Sequence, residues 1–191
     1  DRFNIVQNNA FDLTTQRFLG TSSERHEIFI NDELASCDLV ILTGFIEPHF
    51  FAGFSGGGKA IMPGMAGLTT VLGNHDAKMI ANPKSTFGVT KGNPIWEEIF
   101  EVSQMIGNTF LVNVTLNRDK QITGVFSGNV ATAHHAGCNF VRTCAMVPVE
   151  DVFDIVITTN SGYPLDINLY QCVKGMSTAS QIIREGGDII I

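Results

Sequence analysis

Cysteine is scarce. Cys37, Cys138, Cys144 and Cys172 are the four present, and no two of them stand in a C-x-x-C pair. Four cysteines so placed do not make a disulfide framework, and a reducing cytoplasm is the expected compartment. Positive charge is scarce as well: 12 Lys and Arg stand against 19 Asp and Glu, a formal charge of −7, and the cations are scattered. Without a basic stripe to neutralise phosphates, nucleic acid is not an expected partner. A small anionic substrate is compatible with this balance, because a local cluster can oppose the global sign. No apolar run approaches the roughly 20 residues that span a bilayer, and no signal peptide is visible, so no membrane association is expected. Short-period repeats and low-complexity segments are missing too. What remains is a globular composition, 44% hydrophobic over 191 residues, enough for one domain or one and a half. The chain starts at Asp1 and stops inside an apolar run at 188–191 that reads as mid-strand. An excerpt of a longer polypeptide is expected.

The stretch 44–76, GFIEPHFFAGFSGGGKAIMPGMAGLTTVLGNHD, organises the rest. It follows CDLVILT at 37–43, whose β-branched and leucine side chains predict a strand buried on both faces. Loops at the exit of such a strand are where open α/β sheets place ligands. Upstream, strands are expected over 3–7 and 27–30, with a short helix reaching Ser36 capped by Asn31 or Asp32. Downstream, residues 76–81 offer a helical turn or two. Asn93 as cap, Pro94 at the first position and the period of Ile95, Ile99, Val102 and Ile106 predict a helix that Gly107 ends. Residues 110–116 and 121–126 read as a hairpin with one wet face, and 130–146 as a helix stopped by Pro148. After PVED at 148–151, a second apolar strand is predicted at 152–158. A polar exit loop follows at 159–166, then a helix over most of 167–186 and a return to the sheet at 188–191. The fold class is α/β, with mixed sheets and flanking helices. Residues 1–148 read as part of an N-terminal cofactor-binding domain and 149–191 as the beginning of a C-terminal substrate-cleft domain.

GFSGGGKA at 53–60 has the spacing of G-x-x-x-x-G-K-[ST]. Ala60 lacks the hydroxyl that holds magnesium, however, and Pro63 falls where the next helix should propagate. Gly56, Gly57 and Gly58 still permit unusual backbone angles that bring amides close to a phosphate or carboxylate. Lys59 is either a phosphate contact or an amine nucleophile. His49, beside Pro48 and Glu47, is suited to move protons near neutral pH, or is a packed core histidine. His75 could cap a helix, ligate a metal, or do neither. His134 and His135 diverge on a helix and read as ordinary, and His26 in SERHE reads as solvated. Gln171 and Lys174, one helical turn apart with Tyr170 alongside, could hold a carboxylate or form a solvated face.

EPHFFAGFSGGGKAIMPG, the Asn74–His75 pair and TNSGYPLDINLYQCVKGMSTA together resemble the nickel-pincer-nucleotide-dependent lactate racemase family over roughly residues 38–186. The resemblance implies a racemase or epimerase of lactate-like 2-hydroxy acids, an isomerase working by reversible hydride transfer to a nickel-pincer nucleotide. This cofactor is a pyridinium-3-thioamide-5-thiocarboxylic acid mononucleotide carrying Ni(II). It implies covalent attachment of the cofactor at Lys59, seated by Gly56, Gly57 and Gly58; nickel coordination by His75; and proton exchange by His49. Tyr170, Gln171 and Lys174 would bind the substrate, with Lys174 also counted among the catalytic groups. A small anionic 2-hydroxy acid and cofactor-biosynthesis proteins are the implied partners. The family's second catalytic histidine would lie upstream of the chain, so the stretch alone is expected to be inactive. A larger or sugar-derived 2-hydroxy acid is the alternative substrate. A non-enzymatic carrier of a phosphorylated ligand is the rival of another class, and the two part at Lys59, which a carrier needs only as a charge.

Overall fold

A computed structural model describes residues 3–191, apart from the side chain of Tyr170. The chain divides into two compact units, Asp1–Met146 and Val147–Ile191. It is an α/β protein with several small sheets. No helix among the described residues is long and apolar enough to cross a membrane.

In the first unit, β1 (Gln16–Thr21) and β2 (Glu27–Asn31) form an antiparallel pair, and α1 (Asp32–Ala35) follows with Asn31 as its cap. The main sheet has the order β3 (Val40–Phe45), β6 (Thr109–Leu116), β7 (Ile122–Gly128); β3 and β6 run parallel, β6 and β7 antiparallel. Between β3 and β6 the chain makes the two-residue strands β4 (Pro48–His49) and β5 (Gly53–Phe54), a 3-10 turn at Gly57–Ala60, and helices α2 (Leu68–Asn74), α3 (Ala77–Ile80) and α4 (Pro94–Met105). After β7 comes α5 (Val130–Ala145), which packs on β6 and β7. The core, with Ile28, Ile30, Leu42, Phe51, Ile61, Met62, Ile95, Val102 and Leu111, lies between the sheet and the helices.

Local chemistry accounts for the firm elements. Asn93 accepts hydrogen bonds from the Ile95 and Trp96 amides, Pro94 occupies the first turn, and Gly107 leaves α4 with φ of 86°, a conformation only glycine adopts cheaply. Such a cap is worth about 1 kcal/mol. The short α2 was not expected from its sequence, since two threonines and Gly73 are poor helix formers. Thr70 holds it: its Oγ accepts from the Phe29 amide and donates to the Glu27 carbonyl, both at 2.8 Å.

Several expectations are corrected. Residues 3–9 form no strand, having no partner strand among the described residues, and Phe3 and Ile5 stay exposed. The strand at the head of the motif is buried on one face only: Val40 and Leu42 are inside, while Leu39 and Ile41 are 58% and 57% exposed. The covered face of β3 is the one on which the 3-10 turn at Gly57–Ala60 packs, while α5 packs on β6 and β7. The β6–β7 hairpin forms, but Asn113 and Thr115 are buried, Asn113 bonded to the buried Gly57 amide and Thr115 to the hydroxyl of Thr123.

The second unit is a β-α-β arrangement: β8 (Phe153–Ile157) and β9 (Ile183–Ile190) run parallel, joined through α6 (Leu169–Ala179). Phe153, Ile155 and Ile157 are exposed, so β8 is not the buried strand its composition suggested. The helix expected over most of 167–186 ends at Ala179, and β9 begins at Ile183, earlier than expected. Gly186 and Gly187, which speak against a strand, sit where the β8–β9 register shifts; a Cβ on Gly187 would lie 2.7 Å from the Asp154 carbonyl oxygen.

Candidate active site

The site grows from the exit of β3. Ser55 fastens the returning chain, its amide donating to the Glu47 carbonyl at 2.9 Å while its Oγ accepts from the Glu47 amide at 2.9 Å. The β4–β5 ladder then pairs His49 with Gly53. His49 is stacked on Phe50, with ring centroids 4.9 Å apart, and meets Phe51 edge-on at 4.6 Å. Lys59, in the 3-10 turn, places Nζ 3.5 Å from His49 Nε2 and 5.7 Å from the centre of the Phe51 ring. His75, the C-cap of α2, meets the same Phe51 ring edge-on at 4.9 Å. One buried phenylalanine thus gathers the amine and both imidazoles, side chains that come from three different local structures.

The hydrogen-bond roles constrain the chemistry. His49 Nδ1 accepts from the Ala52 amide at 3.2 Å, so a neutral ring carries its proton on Nε2, the nitrogen facing Lys59. With the ring in that tautomer a hydrogen bond across this contact has Nε2–H as its donor, whereas a charged lysine donates only to an Nε2 that carries a lone pair. His75 has its pKa lowered, first by burial and then by the positive charge of Lys59, against weaker opposing effects of the Val71 carbonyl and Glu98. The Val71 carbonyl already accepts the His75 amide at 3.0 Å and is not in hydrogen-bond geometry with Nδ1, which is buried and has no hydrogen-bond partner among the described residues. A ring kept neutral retains the lone pair a metal requires. Among the described residues no group of three or more His, Cys, Asp and Glu side chains could hold a metal ion. His75 can therefore offer one nitrogen to a metal whose other ligands come from elsewhere.

The glycine loop turns its tight geometry inward. A Cβ on Gly56 would lie 2.5 Å from Asn113 Oδ1, one on Gly57 2.8 Å from the His134 ring, and one on Gly58 3.0 Å from the Ile99 carbonyl oxygen. The Gly57 amide donates to Asn113 Oδ1 at 2.8 Å, so that hydrogen is spent within the protein. His134 Nε2 donates to the Ser55 carbonyl at 2.8 Å, and its ring is stacked 6.3 Å from Trp96. The loop is braced from β6 on one side and from α5 on the other.

Comparison with known proteins decides the family. Residues 1–88 match the lactate racemase N-terminal domain and residues 149–191 the lactate racemase C-terminal domain. The chain is 42% identical over 187 residues to the lactate racemase of Lactiplantibacillus plantarum, covering 98% of itself and 44% of that protein. It is 40% identical over 193 residues to the lactate racemase of Thermoanaerobacterium thermosaccharolyticum, with 98% and 45% covered. The chain belongs to the lactate racemase family. The solved lactate racemase apoprotein of T. thermosaccharolyticum superposes with a TM-score of 0.90 at 39% identity, covering 95% of this chain and 43% of that one. A Thermotoga maritima crystal structure shares the fold, with a TM-score of 0.76 at 21% identity over 95% of this chain and 49% of its own. The chain thus spans a little under half the length of the curated family members it matches.

Within this family member, Gln171 and Lys174 lie one turn apart on α6, where Asn168 caps the helix by accepting from the Gln171 amide at 3.1 Å. Lys174 is exposed and Gln171 half-buried. Tyr170, expected beside them, has a side chain outside the described residues. Sequence reasoning missed Phe51, Asn113 and Glu98, and misread two histidines. His134 is 4% exposed and braces the loop, and His26 is not solvated but bonded to Glu98 at 2.8 Å. The legible signal was Glu98, an acid one turn from Ile95 on the apolar face of α4.

Proposed function

We propose that the chain supplies the cofactor-binding part, and the first substrate-binding residues, of a racemase or epimerase acting on lactate-like 2-hydroxy acids with a nickel-pincer nucleotide. The observation that carries this reading is the convergence of Lys59, His49 and His75 on Phe51, with an unspent imidazole nitrogen on His75. Lys59 would hold the nucleotide through a thioamide bond, and His75 would give a protein nitrogen to its nickel, a donor that suits Ni(II). When bound, the nucleotide supplies a carbon that takes up and returns the hydride of the substrate Cα.

The proton belongs to His49. To accept it from the substrate hydroxyl at Nε2, the ring must move its own proton to Nδ1 and give up the long 3.2 Å contact with the Ala52 amide. Once Lys59 Nζ is tied into an amide-type bond it carries no charge, so no cation competes for that Nε2 lone pair. Phe50 and Phe51 flank the imidazole, which is half-buried. Lys174 would bind the substrate carboxylate by charge and Gln171 by its amide. The flat 2-keto acid can be re-approached from either face, and configuration at Cα is lost without net oxidation.

Inward packing leaves the glycine loop one amide fewer for a phosphate, of a carried ligand or of the nucleotide alike, so the carrier alternative is separated by covalent capture at Lys59. The deciding experiment is an intact mass of the chain co-expressed with nickel-pincer biosynthetic proteins. A mass increase equal to the nucleotide, lost in Lys59→Ala, is expected. No increase in the wild-type chain, with nickel and those proteins shown to be present, would overturn the reading.

A further inference from the structure

The main sheet is covered on one face only. Val40, Leu42 and Leu111 lie on the covered face. On the opposite face the register sets Ile41 beside Phe110 and Leu116 beside Ile122, with Phe45 and Val125 among them, and these six side chains are 41% to 62% exposed. Thr43 and Ser127 are the polar residues there, and β3, β6 and β7 contain no charged residue at all. A sheet face built to meet water is polar. A contiguous apolar one marks an interaction surface.

Two further observations fall on β3. It runs parallel to β6, and parallel strands occur almost only where both faces are covered. The apolar run at 37–43 has the composition of such a strand, yet one of its faces is open. β3 also lies at the edge of its sheet, with no strand on its other side among the described residues. The Val40 and Ile46 amides donate to the Asn108 and Val114 carbonyls, both at 2.9 Å, so the backbone groups of Ile41 and Thr43, which alternate with them, turn to the free edge. Edges left open are normally blunted by charge or proline. β3 has neither.

The polypeptide itself fits this surface. The chain spans 44% and 45% of the family members it matches, so more than half of a family-length polypeptide lies outside it. Val6 lines one groove with Leu39 and Ile41, and the apolar Phe3 and Ile5 are exposed. The chain therefore enters the first unit beside the open strand, whereas its other end continues from β9 of the second unit. We propose that the polypeptide preceding residue 1 covers the open face of the β3–β6–β7 sheet with the apolar side of a helix and pairs a strand with the free edge of β3. Helices are what cover the faces of parallel sheets.

The test uses the intact family-length polypeptide carrying Phe110→p-benzoylphenylalanine, irradiated and mapped by peptide mass spectrometry. An intramolecular cross-link to residues preceding residue 1 is expected. A cross-link to a second copy, seen as a doubled mass, would overturn the proposal. So would a cross-link to residues following 191, or none. Should the bulkier ring prevent folding, hydrogen exchange of the unsubstituted polypeptide decides. The Ile41 and Thr43 amides should be as protected as those of Val40 and Ile46, and in residues 1–191 alone they should lose that protection while Val40 and Ile46 keep it. Free exchange at Ile41 and Thr43 in the family-length polypeptide would leave the edge unpaired and overturn the proposal. Equal protection in the shorter chain, or protection that fades on dilution, would assign the edge to another occupant and overturn it as well.

Discussion

Gly57 has no room for a methyl group. Its φ is 58°, and a Cβ there would meet the His134 ring at 2.8 Å. Gly57→Ala should lose about 1–2 kcal/mol to the left-handed backbone and about 1–3 kcal/mol more to overpacking. Urea unfolding would show the sum. Adding His134→Ala should relieve the packing part and leave the backbone part, and strictly additive losses would show that the ring is not the obstacle. Lys59, His49 and His75 were legible in the sequence because packing does not call for an amine and two imidazoles beside a run of glycines. Phe51 was not, since a phenylalanine next to Phe50 reads as core, and its second role, gathering three polar groups, depends on residues distant in the chain. The glycines were legible as special but not for their reason, which lies in Asn113, His134 and Ile99.

Among the elements, β6 does more than complete the sheet. Asn113 is 1% exposed, and its Oδ1 takes the Gly57 amide. Asn113→Ala should therefore strand a buried N–H, at a cost of about 1–3 kcal/mol, and speed hydrogen exchange at Gly57 well beyond that at Ile61 in the same segment. Asn113→Asp keeps the acceptor and should exchange more slowly than the alanine variant; equal exchange in the two would remove the contact from any role in holding the loop. The polar residue at 113 was read as the wet side of a hairpin, because strand periodicity says which residues share a face but not which face is inside. Helices α4 and α5 were legible from caps and period together. In contrast, α2 is held by Thr70 against β2, and α6 gives way to β9 because β8 lies alongside; such tertiary partners leave no local trace.

For the molecule as a whole, the buried histidine of α5 couples the loop to pH. Burial lowers the pKa of His134, with the charge of His135 acting in the same direction and the bond to the Ser55 carbonyl opposing them. The unfolded chain therefore takes up this proton at a higher pH than the folded one. Stability from His134 is complete above the ordinary imidazole value of 6.5 and declines as pH falls from there towards the lowered folded value, at no more than about 1.4 kcal/mol per pH unit for one proton. Many carboxylates titrate below that window, so the contribution is best isolated by difference. His134→Gln keeps a donor for the Ser55 carbonyl and removes the titration. Its stability, measured by urea unfolding between pH 8 and 5, should decline less steeply than that of the wild type below the imidazole range and run parallel to it above. Parallel curves throughout would place the His134 proton equilibrium outside the folding linkage. A steeper wild-type curve would mean that the brace behind Gly57, and with it the turn that carries Lys59, loosens as the protein is acidified.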